Sequence, residues 1–541
     1  MIFSVARTGT AWLVAACVAK ASVASAAGPD QRLITAAAEQ DKVALRALLK
    51  QGVDANTTRA DGATALLYAA HRDDLEAVDL LLKAGANANA AEDHGVTPLA
   101  RAVENASVLV VERLLRAGAN PNIAQTSGLT PLMTAARTGN LQVVKSLLAH
   151  GANVNAETHT RYTALMWAIA GRHAETARLL IEAQADVHAS TDKGYTLLMF
   201  AARNGDIELG RMLVAAGARV NETGADGTHV LPFSIVYGQG DFALFLLEQG
   251  ADPNGAMGGI RALHAAAGAV QLWVREWTQR HGAGDGLGYG VTVGRPLTAA
   301  ARLALVKALL TKGGDVNART TTSTMMMGYI GYPKKGAFEP FACGTGDLRG
   351  ATPLWVAAYS ANGSGGQSSD QNASRVGRAD VSSDVLRALL AGGADYRLAT
   401  DDGTTPLMVA AGLGRSTFNP SLQRGNRSRV AEEAVTLLLD AGADIHAVNE
   451  ADFQAIHGAA FRGLNEVIQI LVDRGADLNA RDFRGRTPYR LAEGSKQSFQ
   501  FQAYPETAAF IKKLGADTRI GIPGTVQERL RDVPAADAQQ Q

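Results

Sequence analysis

The sequence predicts an all-α repeat solenoid, and two observations support this fold class. A 33-residue pattern recurs in unbroken register as far as Gly227, and its copies begin at Ala63, Val96, Leu129, Tyr162 and Tyr195. Within each copy, two short runs carry apolar residues at the three- and four-residue spacing of helices. Self-similarity at such a period is typical of stacked helical repeats, which contact only their neighbours. The 541 residues therefore need no division into separate globular domains.

Each segment of the repeat has a physical reason. In the copy that begins at Leu129, the first helix begins at a Thr-Pro pair, because Thr caps free amides and Pro at the first helical position loses no hydrogen bond. A Gly-Asn pair ends that helix. The second helix has a buried face that consists of Leu141, Val144, Leu147 and Leu148. Gly151 then provides a left-handed turn, and residues 152–160 form an extended finger that leads to the next repeat.

The pattern TPLxxAAxxGN followed by VVxxLLxxGAxVNA resembles the ankyrin repeat. The resemblance implies about twelve units of helix, turn, helix and β-finger, with recognition by the fingertips and the inner helices, and it implies no reaction. It also assigns His264 and His457, at the TPLH position, to the stabilisation of local turns. In the fifth repeat Gln184 replaces the helix-ending glycine, and a left-handed Gln184 would strain the backbone by roughly 1 kcal/mol. A local irregularity of the repeat is the favoured interpretation.

Residues 1–27 have the features of an export signal. A basic residue precedes an apolar run from Ala11 to Ala19, and the triplet ASA offers small residues for cleavage. The run is too short to span a bilayer. We therefore expect an exported chain, periplasmic or secreted. A second interpretation stays open, because the run VAAC resembles a bacterial lipobox and lipidation of its Cys17 would anchor the chain to a membrane.

The period also locates the interruptions of the array. We expect repeats without insertions over 28–259, repeats with long insertions over 260–452, C-terminal repeats and a cap over 453–517, and a flexible tail over 518–541. The insertions cover about 269–298, 320–350, 361–382 and 413–429. The first, third and fourth lie in the turn between two helices of a repeat, so stacking predicts that they emerge side by side along one edge. The second lies in a finger, at the opposite end of the helices.

The finger insertion is the richest in contact residues. Its methionines and aromatic residues are interleaved with glycines, and they are Met325, Met326, Met327, Tyr329, Tyr332, Phe338 and Phe341. Such groups on an adaptable loop are typical of binding surfaces. An equal alternative is a loop that folds back and buries them against repeats eight and nine, since exposed apolar patches of this size are rare without a partner.

Four further aromatic residues are candidates for partner contact. Trp273 and Trp277 would share one face of a helix and could anchor a partner, although the local core of the insertion is the favoured interpretation. Tyr162 and Tyr195 stand at predicted fingertips, on a concave face expected from Arg59 to Gly227.

Composition and motifs argue against several functions. The 52 basic and 52 acidic residues balance, which disfavours a nucleic-acid partner. We find no catalytic motif, no metal-ligand spacing and no cofactor signature, and Cys343 has no histidine near it in sequence. We therefore predict a non-catalytic scaffold that binds a protein. The resemblance to exported bacterial ankyrin proteins suggests a periplasmic enzyme as that partner. The alternative is an enzyme or small-molecule binder with a site between the clustered insertions.

Overall fold

The computed structural model describes residues 30–274, 277, 280, 296–322, 349–361, 382–413, 428–497 and 500–521. The export signal, Cys17 and most of the inserted residues lie outside this part of the chain. The chain divides into two compact units, Met1–Thr126 and Ser127–Gln541. Among the described residues, no helix has both the length and the apolarity that a membrane span requires.

The first unit contains three helix pairs. They are α1 (Arg32–Ala38) with α2 (Lys42–Lys50), α3 (Ala65–His71) with α4 (Leu75–Lys83), and α5 (Pro98–Glu104) with α6 (Val108–Arg116). The first helices pack in the order α1, α3, α5 and the second helices in the order α2, α4, α6. In the divergent first repeat, Asp41 replaces the usual turn residues and its carboxylate accepts hydrogen bonds from the amides of Val43 and Ala44. The N-terminus of α2 is thereby capped.

The second unit begins with four helix pairs that follow one another without insertion. They are α7 (Pro131–Thr138) with α8 (Leu141–Ala149), α9 (Ala164–Ala170) with α10 (Ala174–Glu182), α11 (Leu197–Asn204) with α12 (Ile207–Ala215), and α13 (Val230–Val236) with α14 (Gly240–Glu248). A threonine precedes the first helix in most pairs, and its hydroxyl accepts from the third helical amide, as at Thr130, Thr163 and Thr196. The predicted cap signal is confirmed at these positions.

Five further pairs complete the second unit. They are α15 (Ala262–Ala267) with α16 (Ala299–Thr311), α17 (Pro353–Ser360) with α18 (Ser383–Ala391), α19 (Pro406–Ala410) with α20 (Arg429–Asp440), α21 (Ala455–Arg462) with α22 (Asn465–Asp473), and α23 (Pro488–Glu493) with α24 (Pro505–Lys513). Two short antiparallel hairpins pair β1 (Ala256–Met257) with β2 (Ile260–Arg261) and β3 (Ser495–Gln497) with β4 (Gln500–Gln502). The all-α repeat fold is confirmed, with twelve helix pairs in the described residues.

The stack in the second unit continues past the insertions. Every first helix from α7 to α23 contacts the next first helix, and every second helix from α8 to α24 contacts the next second helix. An asparagine in each of several fingers links consecutive repeats, because its amide donates to a carbonyl and its oxygen accepts from an amide one repeat further on. Asn254 bonds Gly313 and Asp315 in this way, and Asn317 bonds Gly393 and Asp395. The intervening insertions therefore leave the repeat register intact.

Gln184 adopts the left-handed conformation considered for it. Its φ is 66°, close to the φ of 81° at Gly151 one repeat earlier. Its carbonyl accepts a hydrogen bond of 3.1 Å from the amide of Asn155, so the finger contact is retained. The repeat thus keeps its geometry at a residue type that adopts this conformation only under strain.

Candidate functional site

The finger insertion leaves the stack and returns to it at one place. The amide of Thr320 donates to the carbonyl of Ala351 at 2.9 Å, and the amide of Gly350 donates to the carbonyl of Thr320 at 2.9 Å. The hydroxyl of Thr320 accepts from the amide of Ala351 at 3.1 Å. We call Thr320, Gly350 and Ala351 the neck of the insertion. Because both ends are fixed together here, the insertion is a closed excursion from the finger.

His264 holds the neck to the first helix of repeat eight. Its Nε2 lies 3.0 Å from the carbonyl oxygens of both Ala318 and Ala351, and its Nδ1 accepts from the amide of Arg261 at 3.1 Å. These partners fit a neutral imidazole with its proton on Nε2. Burial lowers the pKa of His264 to about 4, which keeps the ring neutral at pH 7. The local structural role predicted for this histidine therefore extends to the base of the insertion.

The predicted contact residues of the finger insertion lie outside the described residues. These are Met325, Met326, Met327, Tyr329, Tyr332, Phe338 and Phe341, and Cys343 lies there too. The neck shows where the chain leaves and re-enters the described structure, at the finger end of repeats eight and nine. Their assignment to a partner surface stays a prediction.

Trp273 and Trp277 are buried, with exposed fractions of 4% and 2%. Trp273 lies in a 3-10 turn, Gln271–Val274, that follows α15. The indole Nε1 of Trp277 donates to Oδ2 of Asp226 at 2.8 Å and to Oγ1 of Thr228 at 2.7 Å. In this structure neither tryptophan is an exposed anchor, because both rings pack in the interior of the molecule.

The same contacts correct the expected course of the first helix-turn insertion. We expected it to emerge along the edge formed by the helix turns. Its beginning instead runs back along the first helices to the fingers, where Gly258 faces Val274 and Trp277 and where Thr322 donates to the carbonyl of Trp273 at 3.4 Å. Aromatic burial against the fingers accounts for this path, and the period of the repeats contains no information about it.

Tyr195 belongs to the same interior and is 6% exposed. Its ring centroid lies 5.9 Å from those of Phe233 and Trp277. Burial raises the pKa of the Tyr195 phenol, so the hydroxyl stays neutral. The fingertip expectation for Tyr195 is therefore corrected, because Trp277 covers the ring.

Tyr162 is only half-buried, and it lies at the open end of this row of rings. Its centroid is 5.3 Å from that of Trp167 and 5.9 Å from that of Phe200, which in turn lies 5.7 Å from Tyr195. Trp167 is also half-buried. We name Tyr162 and Trp167 the open aromatic pair. Trp167, the fourth residue after the capping Thr163, was not among the predicted contacts.

The ends of the three helix-turn insertions lie together, as stacking predicted. A Cβ on Gly268, after α15, would lie 2.3 Å from the hydroxyl of Ser360 at the end of α17. The hydroxyl of Ser428, before α20, donates to the carbonyl of Ala361 at 3.4 Å. The three insertions therefore begin or end along one edge, although the first does not stay there.

Arg302 is a charged residue at this edge that the repeat pattern did not single out. It is 1% exposed, and its Nη1 donates to the carbonyls of Ala265, Ala266 and Gly268 at 3.1, 3.2 and 2.8 Å. Burial lowers its pKa to about 10, so the guanidinium is still charged at pH 7. The sequence held a signal, because Arg302 precedes the buried Leu305 by three positions and lies on the same helical face.

The described residues contain no cluster of three or more histidine, cysteine or acidic side chains that could hold a metal ion. The arrangement in the described part of the chain is one of packed rings, caps and finger bonds. It offers surfaces for recognition and the buried cation Arg302, whereas the buried Arg486 is paired with Asp482.

Ankyrin-repeat models match more than half of the chain. The model described as ankyrin repeats in three copies matches residues 33–125, 107–191 and 185–257. Two further models, for ankyrin repeats in many copies and for the single ankyrin repeat, match 438–492 and 402–450. The unmatched stretch 258–401 contains α15 to α18, which continue the same stack.

Similar proteins are known from eukaryotes. The chain is 38% identical over 138 residues to the human Ankyrin repeat and SOCS box protein 16, which covers 25% of this chain and 27% of the relative. It is 40% identical over 55 residues to Ankyrin repeat-containing protein P1E11.10 of Schizosaccharomyces pombe, over 10% of this chain and again 27% of the relative. The chain thus spans about a quarter of the length of these relatives.

A solved structure is similar over a comparable stretch. The human ASB11 ankyrin repeat domain is 28% identical, with a TM-score of 0.33, over 37% of this chain and 89% of that domain. The family models and the helix pairs with their finger bonds agree on one assignment. The chain belongs to the ankyrin-repeat family.

Proposed function

We propose that this ankyrin-repeat protein is an exported scaffold that binds a protein partner through its finger insertion and its open aromatic pair. The partner surface would comprise the Met325–Phe341 stretch of the insertion together with Tyr162 and Trp167. As an ankyrin-repeat protein the chain is a protein-interaction scaffold, and the proposal adds the surface, the compartment and the kind of partner.

The neck is the observation that supports the insertion as the principal surface. Thr320 and Ala351 join the two ends, and His264 ties them to α15, so the insertion starts from a rigid base. A contact loop on a rigid base loses less conformational freedom on binding than one on a mobile base. Its Met, Tyr and Phe content matches the composition of protein interfaces.

The packing of Trp277 explains why the second part of the surface lies further toward the N-terminus. Trp277 covers Tyr195 and Phe233, so the inner face of repeats six and seven is occupied by the chain itself. Tyr162 and Trp167 are the half-buried rings next to that covered stretch. Aromatic side chains that are partly exposed on a rigid helix are suitable anchors for a partner.

The proposed compartment rests on residues 1–27, and the proposed periplasmic enzyme partner rests on the resemblance to exported bacterial ankyrin proteins. Simple cleavage near Ala26 would release the chain, whereas lipidation at Cys17 would anchor it. Mass spectrometry of the mature N-terminus distinguishes the two. An intact Met1 in the purified native protein would contradict export by either route.

Affinity capture from native envelope extract tests the partner surface. We expect the full chain to retain a protein that a variant without residues 323–348 loses, when Thr322 and Arg349 are joined by a short Gly linker. We also expect Tyr162→Ala with Trp167→Ala to lower capture by about tenfold or more, since interface aromatic anchors contribute about 2 kcal/mol.

The matched control is a variant without residues 362–381, an insertion of similar length at the helix-turn edge. It should capture the partner as the full chain does. Both deletion variants should keep the thermal midpoint of the parent within a few degrees, because the finger bonds between repeats are not in the deleted segments. Equal capture by all chains would make our surface assignment wrong.

A further inference from the structure

Arg302 is a buried cation whose charge the protein does not neutralise. It is 1% exposed, and within the described chain no aspartate or glutamate pairs with it. Its only hydrogen-bond acceptors among the described residues are the carbonyls at the end of α15. In other repeats the carbonyls at the end of the first helix are bonded by a neutral side chain of the next repeat, as Asn105 bonds Ala70 and Asn204 bonds Ile169. Capping alone therefore does not require the charge, which is expensive to bury.

The guanidinium also has an unused face. Nη1 makes all three bonds to the carbonyls, and Nε is a buried donor that contacts no acceptor in the described structure. Nε and Nη2 together form the side of a guanidinium that binds a carboxylate with two parallel hydrogen bonds. This edge of Arg302 donates to no protein atom within the described residues.

A second unpaired group lies on the other side of the contact with Gly268, at the end of α17. The hydroxyl of Ser360 is buried and, among the described residues, contacts no hydrogen-bond partner. Gly268 joins the two groups, since its carbonyl accepts from Arg302 and a Cβ on it would lie 2.3 Å from the Ser360 oxygen. The backbone at Gly268 is extended, a conformation open to any residue. Glycine is needed there because a side chain would clash with the Ser360 hydroxyl.

We propose that Arg302 and Ser360 form a binding site for the carboxylate group of a small free acid, at the edge where the helix-turn insertions begin. A carboxylate is planar and carries one negative charge, so it matches both the free guanidinium edge and its single positive charge. A doubly charged phosphate would leave a net charge in a buried site. Ser360 would donate a third hydrogen bond to the carboxylate.

Thermal unfolding of the full chain in acetate tests the site, with chloride at equal ionic strength as the reference. Acetate, at concentrations well above its dissociation constant, should raise the midpoint by about 2–4 °C over chloride. Phosphate at the same ionic strength should give a smaller rise. Arg302→Gln, which keeps a donor for the carbonyls, should abolish the acetate effect while the far-ultraviolet circular dichroism stays that of the parent.

Ser360→Ala separates a binding role from a structural one. The hydroxyl bonds nothing in the described structure, so its removal should leave the midpoint in chloride unchanged, yet it should weaken acetate binding by about tenfold in a calorimetric titration. The control Arg203→Gln changes an exposed arginine and should keep the full acetate effect. Equal midpoints of the parent in acetate and chloride, or an acetate effect that survives Arg302→Gln, would overturn the proposal. A larger effect of phosphate than of acetate would overturn the assignment to carboxylates.

Discussion

Gly151 and Gln184 occupy equivalent positions in consecutive repeats. A comparison of the two isolates the energetic effect of a left-handed backbone. Gly151 and Gln184 both follow a second helix and both have positive φ, yet only glycine adopts that conformation without strain. Gln184 is exposed, and a Cβ on Gly151 would meet nothing within 4 Å. The difference between the two positions is therefore one of backbone conformation rather than of packing.

Reciprocal substitutions at these positions should have opposite effects. Gln184→Gly should stabilise the protein by roughly 1 kcal/mol, and Gly151→Gln should destabilise it by a similar amount. Urea unfolding followed by tryptophan fluorescence measures both, because Trp167 lies between the two sites. A neutral Gln184→Gly would mean that the glutamine side chain compensates for the strain.

His264 should make stability fall with pH below neutrality. The pKa of its imidazole is about 4 in the folded chain, whereas the ordinary histidine pKa of 6.5 applies once the chain unfolds. The unfolded chain therefore takes up the proton first, so stability is complete above about pH 6.5 and declines as pH falls toward 4. Between pH 7 and pH 5 this group alone should remove about 2 kcal/mol.

Urea unfolding at pH 7, 6 and 5 measures this dependence through the buried tryptophans of repeats eight and nine. His264→Leu should be less stable at pH 7, because the amide of Arg261 and two carbonyls lose their partner, but its stability should change less with pH. His159→Gln, at an exposed histidine, should retain the slope of the parent. If the free energy of unfolding of His264→Leu changes with pH as steeply as that of the parent, His264 is not the origin of the pH dependence.

At the scale of elements, the segment after α15 is the one whose position the repeat pattern did not predict. It carries Trp273 and Trp277 along the first helices to the fingers. Trp277 is fixed there by Asp226, 51 residues earlier in the chain, and Trp273 packs against Trp355 at 6.1 Å between centroids. Such contacts depend on non-local partners, whereas helix bounds and caps depend on neighbouring residues that the sequence displays.

Removal of the Trp277 side chain should expose the inner face of repeats six and seven. Trp277→Ala deletes a buried ring and should lower local stability by about 3–5 kcal/mol. Amide hydrogen exchange should then quicken in α13 and in the 3-10 turn. Trp167→Ala, at a half-buried ring of the same row, should leave exchange in the 3-10 turn as it is in the parent. Equal protection of α13 in Trp277→Ala would mean that the segment does not shield this face.

At the scale of the molecule, the sequence predicts the regular repeats better than it predicts the segments that interrupt them. The period predicted the helix pairs, the caps and the adjacent ends of the helix-turn insertions, because repeats use the same local chemistry at each step. It did not predict the burial of Tyr195, the half-buried position of Trp167 or the unpaired charge of Arg302. The burial of Tyr195 arises because repeat six contacts Trp277, which lies in a segment that no other repeat contains.

Each repeat of the second unit is held by bonds to the next, and these bonds bridge large separations in sequence. Asn317 reaches the carbonyl of Gly393, 76 residues later, with the geometry that Asn155 uses over 29 residues. Stacking therefore depends on residues on either side of the insertions. The finger bonds do not involve the inserted segments, although the first insertion adds the buried Trp273 and Trp277 to the core.

The neck has a consequence for how this surface can change over evolution. Since Thr320 and Ala351 close the insertion at its base, the length of chain between them has little influence on the rest of the protein. Doubling such a loop costs only about 0.6 kcal/mol in closure entropy. Lineages could therefore lengthen, shorten or replace the insertion and acquire new partners while the repeats stay the same. The neck makes this position a natural place for a grafted binding peptide.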